Sequence, residues 1–185
     1  YNLFNFIKTD SLGNIQWHRL IGASGTGSHV YSIIQLTDGS YVLAGEITPT
    51  GTGNYDMYVV KLNSSGSILW TRTVAGTGYD MANSIIQTTD GGFVLGGYTN
   101  SYGAGSNHMF IVKLNSSKTV GGTGDEQTLS LINSADGGFV AAGFTASFGA
   151  GGKDMFIVKF DASGNTCGNT TSPSVPSGTS GTATS

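Results

Sequence analysis

The side chains best placed for chemistry in this sequence are carboxylates that lie in or just after glycine-rich stretches. They are Asp56, Asp80, Asp125, Glu126 and Asp154. Carboxylate oxygens combined with loop carbonyls are the ligands that Ca²⁺ prefers. The pattern is therefore compatible with a calcium site, although acidic residues in such turns more often cap backbone amides. We expect no other cofactor.

Other catalytic and binding patterns are not met. The histidines share no spacing that would build a metal cluster or a Ser-His-Asp arrangement. They are His18, His29 and His108. The glycine-rich run at residues 148–154 departs from a phosphate-binding loop, because Asp154 stands where that motif has serine or threonine. The sequence therefore predicts a protein that is not an enzyme.

The elements that carry these residues are copies of one another. A segment with an Asp-Gly turn, named hairpin one, recurs at residues 32–45, 84–97 and 130–143. A second segment, named hairpin two, recurs at residues 4–17, 57–70, 109–117 and 155–164. In both, β-branched and aromatic runs of about five to seven residues alternate with turns rich in glycine, serine and asparagine. This alternation is typical of antiparallel strands.

Each complete repeat therefore contains four strands, and four antiparallel strands about every 50 residues are typical of a β-propeller blade. We place strands of the four types at residues 84–88, 93–99, 109–115 and 68–74. The chain then holds two strands, four, four and three, which is about three and a quarter blades of an all-β fold, fewer than the 4 to 8 of a closed ring. We expect its outer blades to expose surface that further protein must cover.

Residues that repeat in every blade are expected to serve the fold. The turn aspartates bond nearby backbone amides, while the glycines beside them accept a positive φ. The two tryptophans of hairpin two are expected to wedge between adjacent blades and to bury apolar area there. The expected structural residues are Asp38, Asp90, Asp136, Trp17 and Trp70. Of the eight basic residues, only Lys153 is out of register with the repeat.

One copy of hairpin two is short. It lacks the six residues that correspond to residues 66–71 of the complete copy. A reversal through residues 116–118 without glycine would be strained. The sequence therefore predicts that a hairpin tip is missing between Ser117 and Lys118.

Composition excludes several classes of partner. Charged residues make up 10% of the 185-residue chain and the formal net charge is −3, so no basic field attracts nucleic acid. The apolar runs are far shorter than the ~20 residues of a membrane span. We interpret residues 1–167 as the blade array and residues 168–185, rich in Ser, Thr, Gly and Pro, as a flexible linker or tail.

Three Asn-X-Ser/Thr sequences are candidate N-glycosylation sites. They begin at Asn63, Asn115 and Asn169. The first two occupy the same turn of hairpin two. If occupied, both would place sugar on the rim opposite the acidic, glycine-rich connections.

The repeat resembles a known family of propeller repeats. Residues 61–70, Lys-Leu-Asn-Ser-Ser-Gly-Ser-Ile-Leu-Trp, joined to residues 84–97, resemble the extracellular bacterial and archaeal repeats of the delta-60 and SBBP type, over roughly residues 3–164. The resemblance implies a secreted or cell-surface module. The Gly-x-Ile-x-Trp element is also similar to quinoprotein propellers, but those carry vicinal cysteines and this chain has only Cys167, so we expect no quinone chemistry.

We therefore expect a non-catalytic extracellular structural or adhesive module, such as part of a surface layer, a filament or an interaction scaffold. The alternative is a propeller that binds or cleaves carbohydrate through its acidic, glycine-rich loops. The expected partners are further blades of the same polypeptide or a second copy of the chain, with glycans under the alternative. We expect neither a nucleic-acid partner nor a membrane span.

Overall fold

The computed structural model describes residues 3–21, 27–48, 54–102, 106–114, 116–120, 123–149 and 151–167, with the backbone alone at 116–120. Within these ranges the chain forms thirteen antiparallel strands in four sheets. The same ranges contain no helix that is long and apolar enough to cross a membrane. The predicted all-β fold is confirmed, as is the grouping into sheets of two, four, four and three strands.

Each sheet is one blade, and the blades are numbered in chain order. Blade 1 contains β1 (Phe4–Thr9) and β2 (Ile15–Ile21). Blade 2 contains β3 (Ser28–Gln35), β4 (Tyr41–Ile47), β5 (Asp56–Leu62) and β6 (Ile68–Val74). Blade 3 contains β7 (Asp80–Gln87), β8 (Phe93–Thr99), β9 (His108–Lys113) and β10 (Ser116–Val120). Blade 4 contains β11 (Glu126–Asn133), β12 (Phe139–Thr145) and β13 (Asp154–Phe160).

Several strands start earlier than the sequence predicts. β7 begins at Asp80 rather than at Ser84, and four acidic residues that we placed in connections are the first residues of strands instead: Asp56, Asp80, Glu126 and Asp154. The ladder extends to Asp80 because this residue pairs with Thr99, whose hydroxyl donates a hydrogen bond to its carboxylate. Such a partner on the next strand cannot be detected from the local sequence around Asp80.

Two glycine positions explain why hairpin one recurs. In the turn, Gly91 has a φ of 79°, and the Asp90 Oδ1 accepts a hydrogen bond of 3.1 Å from the backbone amide two residues later. Farther along, Gly97 of β8 lies opposite a bulge in β7, where a Cβ would come 1.7 Å from the carbonyl oxygen of Met81. The other blades have the same close approach at Gly45 and Gly143.

The hydrophobic core lies between the blades. We call the face of each blade that is turned toward the next blade in chain order its rear face. Met57 and Val59 on the rear face of blade 2 share one buried cluster with Ala82 and Ile85 of blade 3. A second cluster joins blade 3 to blade 4 in the same way, and a third joins blade 1 to blade 2. Because a four-stranded sheet cannot bury both of its faces alone, each blade depends on its neighbours for stability.

Hydrogen bonds between blades also recur at matching positions. The Oγ of Ser32 accepts a hydrogen bond of 3.2 Å from the Ile85 N–H, and one blade later the Oγ of Ser84 accepts one of 3.1 Å from the Leu131 N–H. The first amides of β7 and β11 also donate to the blade before them at 2.8 Å, from Asp80 to the Tyr55 carbonyl and from Glu126 to the Asn107 carbonyl. The repeat therefore specifies a blade-to-blade joint as well as a blade.

The short copy of hairpin two reverses earlier than expected. Ser116 pairs with Lys113, so the chain reverses before Ser116, and both Ser117 and Lys118 lie within β10. The prediction of a strained reversal and a missing tip at the Ser117–Lys118 junction is therefore wrong about where the chain turns. Pairing along β9 determines the register of this strand, and β10 is correspondingly short, at 5 residues.

Among the described residues the four sheets do not close into a ring, and none of these residues covers the rear face of blade 4. Met155 and Ile157 of β13 are 79% and 60% exposed, whereas the equivalent Met57 and Met109 are 0% exposed. Ile132 of β11 is exposed on the same face. The sequence predicts that an outer blade exposes surface that further protein must cover. In blade 4 this surface is a sheet face as well as a strand edge.

Candidate functional site

The repeated aspartates and lysines pair with each other. Lys113 Nζ lies 2.5 Å from Asp90 Oδ2, and Lys159 Nζ lies 2.9 Å from Asp136 Oδ2. The hydrogen bond from Lys113 is the main cause that holds the pKa of Asp90 well below 3.8. Hydrogen bonds from Ser134, and then from Lys159, lower the pKa of Asp136 in the same way. These residues join a turn to the neighbouring strand in successive blades.

Two further turn residues use their side chains locally. The Asp38 Oδ1 accepts a hydrogen bond of 2.8 Å from the Ser40 N–H. The Asn63 Oδ1 accepts hydrogen bonds from the N–H groups of Ser65 and Ser67, at 3.1 and 2.8 Å, so this candidate glycosylation site is bound into its own turn. The other two sites lie outside the described residues: Asn115 and Asn169. Glycosylation stays a prediction.

Both tryptophans lie at junctions between blades. The Trp17 ring contacts Tyr41 of blade 2 with a centroid distance of 5.8 Å, and its Nε1 donates a hydrogen bond of 3.1 Å to the Ser64 carbonyl. The Trp70 ring lies 6.1 Å from that of Phe93 in blade 3. Both indoles are half-buried, so each covers apolar surface of the next blade while its outer edge stays in water.

Two of the predicted calcium ligands meet where blade 2 joins blade 3. Asp80 is fully buried, and its carboxylate accepts hydrogen bonds from the hydroxyls of Thr99 and Ser101. Asp56 is buried close to it. Burial, and next the negative charge of Asp80, raise the pKa of Asp56 above 3.8. Asp80 is thus a buried carboxylate, and Asp56 beside it retains its proton to a higher pH than an aspartate with the usual pKa.

The corresponding joint between blades 3 and 4 carries different residues. Glu126 is fully buried and accepts a hydrogen bond of 2.9 Å from the Thr145 hydroxyl, and His108 Nδ1 lies 3.6 Å from its other oxygen. Asp125 Oδ1 accepts a hydrogen bond of 3.2 Å from the Asn107 N–H. Both carboxylates are therefore engaged by protein groups.

The five predicted calcium ligands are spread over successive joints. Asp154 lies on blade 4, where it pairs with Thr145 across the strands, and its buried Oδ2 has no hydrogen-bond partner among the described residues. Within those residues no group of three or more His, Cys, Asp or Glu side chains is placed to hold a metal ion. The structure does not bring the five into one site, and calcium binding stays a prediction.

A cluster that the sequence analysis did not single out surrounds Glu46. This glutamate is only 6% exposed. Its Oε1 lies 2.8 Å from His29 Nδ1 and accepts a hydrogen bond of 2.9 Å from the Tyr31 hydroxyl. Burial, and next this hydrogen bond, raise the pKa of Tyr31 far above 10. Glu46 therefore fixes the orientation of two half-exposed rings.

These rings begin a line of four that we name the tyrosine row: Tyr31, His29, Tyr55 and Tyr79. Neighbouring ring centroids are 6.3, 6.2 and 6.0 Å apart in this order. The row crosses from blade 2 to the connection that leads into blade 3. Tyr31 and Tyr79 are 48% and 41% exposed, so the row presents aromatic surface to solvent.

A cavity of about 310 Å³ lies between blades 3 and 4. Its lining residues are Met81, Tyr98, Asn107, Asp125, Glu126, Gln127, Phe144 and Lys153. Lys153, the base out of register with the repeat, places its Nζ 4.1 Å from the centroid of the Phe144 ring. Burial, and next the negative charges of Glu46 and Asp80, raise the pKa of Tyr98, which lines this cavity.

The four-stranded blades, their repeated joints and the interleaved core define a β-propeller repeat protein. The family model described as "Domain of unknown function (DUF5122) beta-propeller" matches residues 36–68, from the end of β3 to the start of β6. The predicted resemblance to β-propeller repeats is thereby confirmed over this segment. No curated protein matches the sequence.

A solved structure has the same fold. The crystal structure of a protein of unknown function from Bacteroides caccae matches 89% of this chain with a TM-score of 0.51 and 13% sequence identity. This chain spans about half of that protein, 54% of its length. At this identity the likeness shows the fold alone.

Proposed function

We propose that this chain is a non-catalytic structural or adhesive propeller module that acts outside the cell or at the cell surface. The observation that carries the proposal is the repeated joint between blades, which ends on an uncovered face. The repeated charged and aromatic residues serve turns, strand pairing and blade contacts. The rim carboxylates Asp80, Asp125 and Glu126, which a hydrolase would need free, accept hydrogen bonds from neighbouring protein groups.

The uncovered face of blade 4 supports a scaffold that continues into a further blade of the same repeat. Its apolar positions match those that blade 3 covers on blade 2. Ser130 stands where Ser32 and Ser84 accept hydrogen bonds from the next blade.

An extended chain tests this scaffold function. Residues 1–160 are joined to a copy of residues 63–120, which adds the fourth strand of blade 4 and a whole further blade in register. We expect dilute hydrogen peroxide to oxidise Met155 readily in the original chain, and only as slowly as the buried Met57 in the extended chain. Peptide mass spectrometry gives both rates in one digest, at a concentration where the chain is monomeric.

The matched control is the same extension with Ile85→Glu in the appended copy alone, which places a charge against the apolar face. We expect Met155 to become reactive again in this control. The scaffold proposal fails if Met155 stays reactive in the extended chain while the appended blade resists proteolysis as blade 3 does.

The second candidate function is carbohydrate binding, and the tyrosine row is the observation that favours it. A panel of chromogenic glycosides separates binding from cleavage, since we expect no turnover by the chain. Turnover that Glu46→Gln abolishes would contradict the non-catalytic proposal.

A further inference from the structure

We infer that the tyrosine row, held by Glu46, binds a neutral carbohydrate chain. This inference rests on the adhesive part of the proposed function and names what the module adheres to. It differs from the sequence-based alternative in its residues, because the acidic connections that we first considered are used in joints between blades. The binding surface is aromatic, with hydrogen-bonding groups at its edges.

The row has the dimensions of an extended platform. Four rings follow one another at centroid spacings of 6.0 to 6.3 Å, with interplanar angles of 33° to 49° between neighbours. The Tyr55 carbonyl accepts the Asp80 N–H at 2.8 Å, so the backbone that carries Tyr55 is tied to the residue after Tyr79. The row is therefore built across a rigid joint rather than on a free loop.

The aromatic residues are specific to this joint. His29 pairs with Glu46 across the strands, as Met81 pairs with Tyr98 in blade 3 and Gln127 with Phe144 in blade 4. At the position of Tyr31, blades 3 and 4 have Asn83 and Leu129. At the position of Tyr55 they have Asn107 and Lys153. Because those blades fold without aromatic rings at these positions, blade packing does not require the row.

Glu46 is the second independent sign of a binding surface. A buried carboxylate is costly unless its oxygens are satisfied, and blades 3 and 4 have an aromatic residue at the same position. Here Glu46 holds His29 and Tyr31 through its Oε1, so that both rings stand fixed before any ligand arrives. Such preorganisation lowers the entropic cost of binding.

The chemistry of the row selects neutral sugars. The apolar face of a pyranose packs on an aromatic ring, while phenol hydroxyls and an imidazole nitrogen at the ring edges bond sugar hydroxyls. Glu46, Asp56 and Asp80 lie in the same region and make it acidic, which disfavours uronic acid polymers, sulfated glycans and nucleic acids. A neutral chain of several sugars can contact successive rings.

Isothermal titration calorimetry of the full chain with four neutral hexasaccharides, built of glucose, xylose, mannose or N-acetylglucosamine, tests the inference. We expect one of them to bind, and Tyr55→Ala or Tyr79→Ala to weaken that binding about tenfold, as the loss of one stacking ring does. Tyr55→Phe keeps the stacking ring, so we expect nearly full affinity. The control is Tyr102→Ala, since Tyr102 is equally exposed but lies outside the row.

Tyrosine nitration supplies a readout that needs no variant. We expect the bound hexasaccharide to protect Tyr79, and not Tyr102, from nitration in the unaltered chain. The inference is overturned if none of the four sugars binds, if Tyr102→Ala weakens binding as much as the row variants do, or if a proline-rich peptide protects Tyr79 while the sugars do not. In each of these cases, slow oxidation of Met155 in the extended chain would still support the scaffold function.

Discussion

At the scale of single residues, the carboxylates of this protein divide by what surrounds them. Asp90 and Asp136 lie in exposed turns beside lysines, which lower their pKa values. Asp56 lies in a joint beside Asp80, and burial raises its pKa. Above the unfolded pKa, an ionised aspartate therefore stabilises the folded state in the exposed turns and destabilises it in the joint.

This contrast gives a prediction about pH. Because the pKa of Asp56 is raised on folding, the stability it contributes is complete below its unfolded value near 3.8 and is lost as the pH rises through the folded value. At pH 7 we therefore expect Asp56→Asn to raise the melting temperature by on the order of a few degrees, and at pH 4 to change it little. Calorimetric melting curves at both pH values give the comparison.

Asp90→Asn is the matched control with the opposite sign. The pKa of Asp90 is lowered on folding, so its contribution is present above the unfolded value and is lost as the pH falls through the folded value. We expect Asp90→Asn to lower the melting temperature at pH 7. If both variants shifted it in the same direction at that pH, the joint would not be penalising the Asp56 charge.

At the scale of strands and turns, the sequence predicts the features that depend only on residues close together in the chain. The Asp-Gly turns and the strand at residues 93–99 have local sequence signals. A glycine marks the turn position that needs a positive φ, and a short run of β-branched and aromatic residues marks the strand. The start of β7 at Asp80 is not local, because it depends on Thr99 and on the blade before it. The tyrosine row depends in addition on positions 29, 31, 55 and 79, which are far apart in sequence.

The sequence nevertheless carried a signal for the row. Residues that recur in each blade report blade packing, so positions where one blade departs from the others are the informative ones. Glu46 departs in this way, since the other two blades have the aromatic residues Tyr98 and Phe144 there, whereas the positions of His29 and Tyr55 differ in all three blades. The acidic residues of the connections drew attention by type alone, and most of them serve the joints.

The bulge glycine gives a prediction at the same scale. In Gly97→Ala the new Cβ would lie 1.7 Å from the Met81 carbonyl oxygen, so the strands must separate and lose their ladder. We expect a loss of about 3 kcal/mol or more in the free energy of unfolding, measured by urea denaturation. Gly92→Ala is the control, because a Cβ there would come no nearer than 3.1 Å to a side-chain atom and blade 2 has Ser40 at that position. Equal losses in the two variants would contradict this account of the bulge.

At the scale of the whole molecule, stability and association have the same origin. Each blade is held by the core that it shares with the next one, so a face without a neighbour is an exposed core. Blade 4 has such a face, with Met155, Ile157 and Ile132 at its surface. Contiguous apolar patches of this kind mark association surfaces, whereas single exposed apolar residues do not.

The last prediction follows from this difference. Between about 10 µM and 1 mM we expect the chain to associate reversibly, because the rear face of blade 4 removes apolar area from water when it meets another sheet. The double variant Met155→Lys, Ile157→Thr should stay monomeric in sedimentation velocity runs over this range. Leu12→Lys is the matched control: Leu12 is 86% exposed but lies alone in the turn of blade 1, so its replacement should leave association unchanged. Association that persists in the double variant would place the contact elsewhere on the molecule.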